Sequence, residues 1–192
     1  WTLRTGRLAS EGEGNDFEKI QIALDSLAKS TVFIDDASSP TILQIRAMAR
    51  RLQAEKGLGL IIVDYLQLIQ PSRNYDSPVQ QITEVSRNLK ALARELNVPV
   101  LALSQLSRSV ESRPDHRPKL SDLRESGSLE QDADLVMFIY QEDESDDLVN
   151  NSQRLMKISI AKHRNGPTGE IDIMFRGDRI KFYNVDRKHD SS

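Results

Sequence analysis

Apolar residues recur along the chain with two alternating periods, one typical of helices and one typical of buried strands. Three stretches carry an apolar stripe at helical spacing, and we expect helices over 16–28, 40–56 and 78–96. Ser39-Pro40 and Ser77-Pro78 predict the starts of the second and third helices, since serine caps helices and proline suits their first turn. Four short apolar runs predict strands, the last three of them buried: 31–35, 59–64, 98–104 and 133–140.

The remainder of the chain divides into polar loops and a terminal set of strands. Residues 105–128 carry two prolines and a glycine, and we expect a long excursion with at most one short helix. The acidic segment 141–153 predicts a solvated loop. Alternating apolar residues over 154–162, and again over 170–175 and 179–183, predict antiparallel strands. The pattern therefore predicts one α/β domain over 1–192, with three layers, a mainly parallel sheet and C-terminal antiparallel strands.

Composition narrows the classes of function. With 192 residues, 38% hydrophobic and 29% charged, the chain can form one proper core. The net charge of −3 means that any nucleic-acid contact must come from local basic patches. There is no cysteine, which excludes disulfides and cysteine-ligated zinc and fits a reducing compartment. No segment approaches about 18 consecutive apolar residues, so we expect no membrane span. The chain begins with Trp1 and not with methionine, which we interpret as the mark of a fragment or of a processed product.

Asp64 follows the apolar run 60–63 and ends the predicted strand 59–64. An unpaired carboxylate beside such a core is costly, so Asp64 is solvated, paired with a base or positioned to hold a cation. An apolar strand that ends in aspartate is the general form of a Walker B element, whose carboxylate holds Mg²⁺ against nucleotide phosphates. The next strand ends in Ser104-Gln105, and ligands of parallel sheets bind at the carboxyl ends of the strands. Gln105 is either a polar loop residue or a hydrogen-bond partner for a γ-phosphate or an attacking water.

Two further segments carry candidate phosphate ligands. Lys162 and Arg164 are two residues apart before the turn "NGPTG", which predicts that both project to the same side. They suit phosphate, although a solvated basic strand end is the alternative. Arg124, Glu125 and Gly127 precede a predicted short helix, in a loop that could cradle a phosphodiester backbone. Arg108, Arg113, Arg117 and Lys119 make the region before it basic, and a solvated charged loop is again the alternative.

In this order, these motifs closely resemble the C-terminal motor domain of replicative DNA helicases of the DnaB type. The matching text is "LRTGRL", "VFIDD", "GLGLIIVDYLQLI", "SRNLKALARELNVPVLALSQLSRSVE", "RPKLSDLRESGSLEQDADLVMFIY" and "AKHRNGPTGEI". The resemblance implies a RecA-like fold, present here as a partial domain. It also implies a cytoplasmic homo-hexameric ring with ATP and Mg²⁺ between neighbouring subunits and single-stranded DNA in the channel. Primase and a helicase loader are expected as partners of the full-length protein.

The resemblance also assigns roles to the candidate residues. Asp64 is expected to be the Walker B carboxylate and Mg²⁺ ligand, and Gln105 the γ-phosphate sensor. Lys162 and Arg164 are expected to reach into the neighbour's ATP site, whereas Arg124, Glu125 and Gly127 are expected to form the channel loop that holds DNA. The region 105–128 would then contain a flexible, DNA-facing loop.

The phosphate-binding motif GxxxxGK[ST] occurs nowhere in the chain. We therefore expect that motif, and the family's catalytic glutamate, to precede position 1, and we expect this chain alone neither to hydrolyse ATP nor to unwind DNA. The loss of a central strand should expose a sheet edge. Two alternatives remain open: a non-catalytic RecA-like module that binds single-stranded DNA or regulates a helicase, and a RecA-like ring ATPase of the recombination or clock type. Intact Asp64, Gln105, Lys162 and Arg164 count against the first, and the text around "SDLRESGSLEQDAD" counts against the second.

Overall fold

The computed structural model describes residues 16–73, 75–113, 116–141, 153–178 and 180–185. Four α-helices and six strands follow one another in chain order. The helices are α1 (Asp16–Ala28), α2 (Ile42–Lys56), α3 (Pro78–Leu96) and α4 (Gly127–Asp132). The strands are β1 (Ile61–Val63), β2 (Val100–Ala102), β3 (Leu135–Tyr140), β4 (Gln153–His163), β5 (Gly169–Arg176) and β6 (Lys181–Asn184).

Helix α3 forms the centre of the first core. Its predicted apolar stripe is buried at every position from Ile82 to Leu96 and packs against α2, β1 and the segment after β1. Pro78 stands in the first turn, as predicted, and Asn97 ends the helix in the left-handed conformation with φ 52°. This helix therefore fixes one face of the strands that carry the predicted nucleotide ligands.

Helix α2 begins later than the sequence predicted. Its N-cap is Thr41, because the Thr41 hydroxyl accepts from the backbone N–H of Gln44 while the Gln44 side chain accepts from that of Thr41. The predicted cap at Ser39 with Pro40 in the first turn was wrong, since this reciprocal pair satisfies the first turn two residues further on. Gly57 ends the helix with φ 81°, as predicted.

Two sheets are present in the described part of the chain. Strands β1 and β2 are parallel, with Val63 opposite Ala102. Strands β3, β4, β5 and β6 form an antiparallel sheet in that order. The α/β fold class is confirmed, with parallel strands preceding antiparallel ones, although the parallel part is one short pair. A second core lies under β3, where Leu123, Val136, Phe138 and Tyr140 pack together.

Three predictions about burial and local structure were wrong. Residues 31–35 form no strand in the described structure, and Ile34 is 88% exposed, because no described strand lies beside them to accept their hydrogen bonds. The apolar stripe of α1 is exposed at Phe17, Leu24 and Leu27. Strands β1, β2 and β3 are not buried on both faces, since Ile62 is 60%, Leu101 is 43% and Ile139 is 56% exposed. The outer edges of β1 and β2 are unpaired among the described residues.

The region 105–128 is more ordered than a loop with at most one short helix. It contains two 3₁₀ helices, Arg108–Val110 and Leu120–Ser126, and it ends in the first residues of α4. The cause is local burial, since Val110, Asp122 and Leu123 are all buried. The acidic loop predicted at 141–153 falls almost wholly outside the described residues. No helix in the described ranges is long and apolar enough to cross a membrane.

Candidate functional site

Asp64 and Ser104-Gln105 follow two paired strands at the same edge of a parallel sheet. The ladder continues past Val63 and Ala102, because the backbone N–H of Leu103 donates to Val63 and that of Leu66 donates to Leu103, both at 2.9 Å. Asp64 lies between Val63 and Leu66, the two residues on the β1 side that make these hydrogen bonds, and it is exposed. No hydrogen bond or ion pair reaches its carboxylate from the described residues. Of the three choices left open by the sequence, Asp64 is therefore not paired with a base in this structure.

Gln105 lines a cavity of about 360 Å³ between the segment after β2 and the 3₁₀ helix 120–126. The Gln67 side chain, from the segment after β1, donates to the Ser104 hydroxyl at 3.2 Å and closes one wall. Asp122 and Leu123 from the 3₁₀ helix 120–126 form the opposite wall. The cavity thus joins the carboxyl edge of the parallel strands to the predicted DNA loop.

A buried ion pair holds that loop in position. Asp122 is 2% exposed, and its two carboxylate oxygens accept from both terminal nitrogens of Arg113, one of them at 2.7 Å. The backbone N–H of Lys119 donates to the same carboxylate at 2.7 Å. The hydrogen bond from Arg113 lowers the pKa of Asp122 below its usual value of 3.8, although burial acts in the opposite direction.

The 3₁₀ helix 120–126 is also tied to the segment that follows β2. The backbone N–H of Ser107 donates to the Asp122 carbonyl at 3.0 Å. Ser107 is only two residues beyond Gln105, so one short backbone connection links Gln105 to the 3₁₀ helix 120–126. The arrangement can therefore couple the strand edge to residues 120–126.

Lys162 and Arg164 converge on the last turn of α4. The ammonium of Lys162 donates to the Glu130 carbonyl, and the guanidinium of Arg164 donates to the Gln131 carbonyl at 3.3 Å. The predicted shared direction is therefore observed, although β4 ends at His163 and Arg164 is the first residue of the turn. In the part of the chain that the structure describes, no hydrogen bond or ion pair joins either cation to Asp64.

Asp134, the residue before β3, anchors Arg164. Its carboxylate pairs with the Arg164 guanidinium at 2.7 Å and with the Lys90 ammonium of α3, and its carbonyl accepts from the Arg164 backbone at 2.8 Å. The hydrogen bond from Lys90 holds the pKa of Asp134 below its usual value. The turn itself is tight, because a Cβ at Gly166 would collide with the His163 ring. These contacts hold Arg164 in a defined orientation.

The predicted channel residues lie at the junction between the 3₁₀ helix and α4. Arg124 and Glu125 belong to the 3₁₀ helix, and their side chains fall outside the described part of the structure. Gly127 is exposed and has an ordinary right-handed helical conformation with φ −51°. A Cβ at this position would meet nothing within 4 Å. The fold therefore gives no steric reason for a glycine at 127.

Sequence reasoning missed the Arg113–Asp122 pair, Lys90 and Asp134. Arg113 and Arg117 were read as part of a basic surface, whereas Arg113 pairs with Asp122 and Arg117 pairs with Glu170 of β5. One signal was available for Asp122, since it lies between Leu120 and Leu123 in a short helical turn, where a carboxylate requires a partner. No comparable signal marked Lys90, because its partner lies 44 residues further along the chain.

The exposed Asp64 fits a Mg²⁺ that is shared with phosphates better than a metal site built from protein alone. Mg²⁺ binds through one or two carboxylates and completes its shell with water and phosphate oxygens. The described residues contain no group of three or more histidine, cysteine or acidic side chains that could hold a metal by themselves. Asp64 therefore offers a single exposed carboxylate, which suits a Mg²⁺ whose other ligands are water and phosphate oxygens.

Comparisons with known proteins give a consistent result. The family model of the DnaB-like helicase C-terminal domain matches residues 1–184. The replicative DNA helicase DnaC of Bacillus subtilis is 50% identical over 191 residues, which make up 99% of this chain and 41% of that protein. The chain therefore spans about two fifths of that relative's length.

Two solved structures share the fold. The ATPase domain of G40P has a TM-score of 0.82 and 40% identity, and the match covers 92% of this chain and 62% of that one. A structure of a DnaB-like replicative helicase and its interactions with primase has a TM-score of 0.84 and 39% identity, covering 96% of this chain and 45% of that one.

Proposed function

The chain belongs to the DnaB-like helicase C-terminal domain family, and from this premise we propose that it is part of the motor of a replicative DNA helicase. The motor couples ATP hydrolysis to the unwinding of duplex DNA at the replication fork. It works as a homo-hexameric ring in which each ATP lies between two subunits and single-stranded DNA occupies the channel. Primase and a helicase loader are partners of the complete protein, and the ring acts in the cytoplasm.

The observation that supports this proposal best is the parallel pairing of β1 and β2. It brings Asp64 and the segment of Gln105 to one sheet edge. Lys162 and Arg164, by contrast, lie against α4 without a contact to Asp64 among the described residues. Cations that are separated from the metal ligand of their own subunit are suited to serve a neighbouring subunit's nucleotide.

Each residue then has a separate task in phosphoryl transfer. Asp64 orients the Mg²⁺–nucleotide complex, and Gln105 donates a hydrogen bond to the γ-phosphate or to the attacking water. When bound, Mg²⁺ would neutralise part of the negative charge of the nucleotide phosphates. The guanidinium of Arg164 and the ammonium of Lys162 stabilise the charge that develops on the γ-phosphoryl group of the adjacent subunit.

The DNA loop responds to the nucleotide through the Ser107–Asp122 connection. Gln105 shifts when it gains or loses its hydrogen bond to the γ-phosphate, and the 3₁₀ helix 120–126 moves with it. Arg124, Glu125 and Gly127 then change their position relative to the DNA backbone. Recognition of phosphates through backbone amides carries no sequence information, as a helicase that acts on any sequence requires.

The test is Arg164→Ala in the complete subunit that carries this chain. We expect DNA-stimulated ATP turnover to fall by about 10³-fold or more, the range of arginine fingers, while nucleotide binding by the same subunit changes little. Arg51→Ala is the matched control, because Arg51 is exposed on α2 and pairs only with Glu55 of its own helix in the described structure. Equal losses of binding and turnover in Arg164→Ala would contradict a role at the neighbour's site.

A second measurement concerns the chain by itself. Without GxxxxGK[ST] in its sequence, it is expected to show no more ATP turnover than its Asp64→Asn variant, with or without single-stranded DNA. DNA-stimulated turnover that disappears in Asp64→Asn would reveal a phosphate cradle inside residues 1–192. Single-stranded DNA binding without any turnover, even in the complete subunit, would favour the non-catalytic module.

A further inference from the structure

A basic cavity of about 260 Å³ lies between α3 and the turn after β4. Arg87, Lys90 and Arg94 line it from α3, and Arg164 lines it from the turn. The three cations of α3 are three and four residues apart, which puts them on one face of the helix. Asp132 is the single carboxylate among the lining residues. The cavity therefore concentrates positive charge in a chain whose net charge is −3.

The carboxylates nearby neutralise only half of these cations. Asp134 pairs with Lys90 and Arg164, and Asp132 accepts a hydrogen bond from the Ser86 hydroxyl at 2.8 Å. Within the described ranges, neither Arg87 nor Arg94 forms an ion pair, although Arg94 attracts Asp134 over a longer distance. Four cations against two carboxylates leave an excess of two positive charges. Such an excess favours an anion.

The size and chemistry of the cavity indicate which anion. Its volume lies below the roughly 300–1,000 Å³ of pockets that hold drug-sized ligands, which suits a small anion. Arginine offers a planar set of donors that binds phosphate oxygens in pairs. Three arginines around a small cavity therefore match one phosphate group.

We propose that this cavity binds a phosphate group, with Arg87 and Arg94 as ligands in addition to Arg164. The inference rests on the proposed function, because Arg164 is also the cation assigned to the neighbour's nucleotide. It extends that function by adding two arginines of α3 to the surface that meets phosphate. The triphosphate of a nucleotide and the backbone of single-stranded DNA offer the same group, and the experiment separates these two sources.

The probe is inorganic tripolyphosphate, titrated into this chain by calorimetry at constant ionic strength. Arg87→Gln combined with Arg94→Gln should weaken binding roughly tenfold or more, because each change removes hydrogen bonds to a charged group. The matched control is Arg51→Gln combined with Lys56→Gln on α2, which removes the same charge from two residues that do not line the cavity. The control should stay within about twofold of the unchanged chain, since distant exposed charges are screened by salt.

Equal affinities of the unchanged chain and the cavity variant would overturn the proposal, as would no binding of tripolyphosphate by the unchanged chain. Equal weakening in the cavity variant and the control would also overturn it, because the effect would then be one of net charge. Arg94→Lys, which keeps the charge and loses the paired donors, is expected to bind with intermediate affinity. Thermal unfolding of all variants checks that the fold is retained.

Competition experiments identify the source of the phosphate. Displacement of tripolyphosphate by ATP, but not by an oligothymidylate, assigns the site to a nucleotide, and the reverse result assigns it to the DNA backbone. Both results support a phosphate site. The Arg164→Ala turnover measurement is independent of this titration, so a failure of the proposed function and a failure of the cavity assignment give different results.

Discussion

The Arg113–Asp122 pair gives the sharpest prediction about stability. Arg113→Met keeps most of the aliphatic stem and leaves the Asp122 carboxylate, whose side chain is 1% exposed, with the Lys119 N–H as its remaining close donor among those described here. The loss of one partner of a buried ion pair costs about 3–5 kcal/mol. Because the Arg113 side chain is 26% exposed and Lys119 still donates, we expect the lower end of that range, about 3 kcal/mol.

The assay is urea unfolding followed by circular dichroism, repeated at several pH values. Arg113 lowers the folded-state pKa of Asp122 below 3.8. The carboxylate therefore stabilises the fold above the unfolded-state pKa, and this contribution is lost as the pH falls through the lower folded-state pKa. The difference between the two proteins should accordingly be largest near neutral pH and should shrink below the unfolded-state pKa.

Arg51→Met is the matched control. Arg51 is 79% exposed, and its pair with Glu55 is worth about 0.5 kcal/mol or less. A loss below about 1 kcal/mol in Arg113→Met would be outside the range for a buried pair. A loss that does not change with pH would refute the assignment of the effect to the Asp122 charge.

Three other predictions concern the DNA loop and the core. Gly127→Ala should leave thermal stability equal or slightly higher, because nothing lies within 4 Å of the new methyl group. The same variant should bind single-stranded DNA more weakly, as measured by fluorescence anisotropy. Unchanged binding would exclude close approach of DNA to this backbone. Single-stranded DNA binding by the complete subunit should be nearly independent of sequence and should weaken as salt rises, whereas a strong base preference at fixed salt would contradict backbone recognition. Leu92→Ala, at a fully buried position of α3, should lower the free energy of unfolding by about 2–5 kcal/mol, and Leu43→Ala, at a position 64% exposed, should lower it by less than about 1 kcal/mol.

The sequence predicted the helices that bury a continuous stripe and failed where burial depends on a distant partner. In α3 the stripe from Ile82 to Leu96 is local information, because residues three and four apart share a face whatever surrounds them. The run 31–35 has an equally apolar pattern and forms no strand, since a strand also needs a neighbour to accept its hydrogen bonds. The exposed face of β1 at Ile62 has the same explanation.

The candidate site divides in the same way. Asp64 and Gln105 were predictable because each follows an apolar strand, and parallel pairing brings such strand ends to one edge. The anchoring of Arg164 by Asp134 was not predictable, since these residues are 30 positions apart and meet only because β3 and β4 are antiparallel neighbours. The sequence predicted a basic surface over residues 108–119, and it could not show that Arg117 is neutralised there. The carboxylate that pairs with Arg117 belongs to Glu170, which lies in β5, far along the chain.

The most direct test of the whole account mixes two inactive subunits of the complete helicase, one with Asp64→Asn and one with Arg164→Ala. If Arg164 serves the neighbour's nucleotide, random 1:1 mixing creates intact sites at about a quarter of the head-to-tail interfaces, although neither variant forms any alone. The account predicts that DNA-stimulated ATP turnover of the mixture rises clearly above that of either variant alone. Turnover in mixed rings that stays at the level of the separate variants would contradict the assignment of Arg164 to the neighbouring subunit's site.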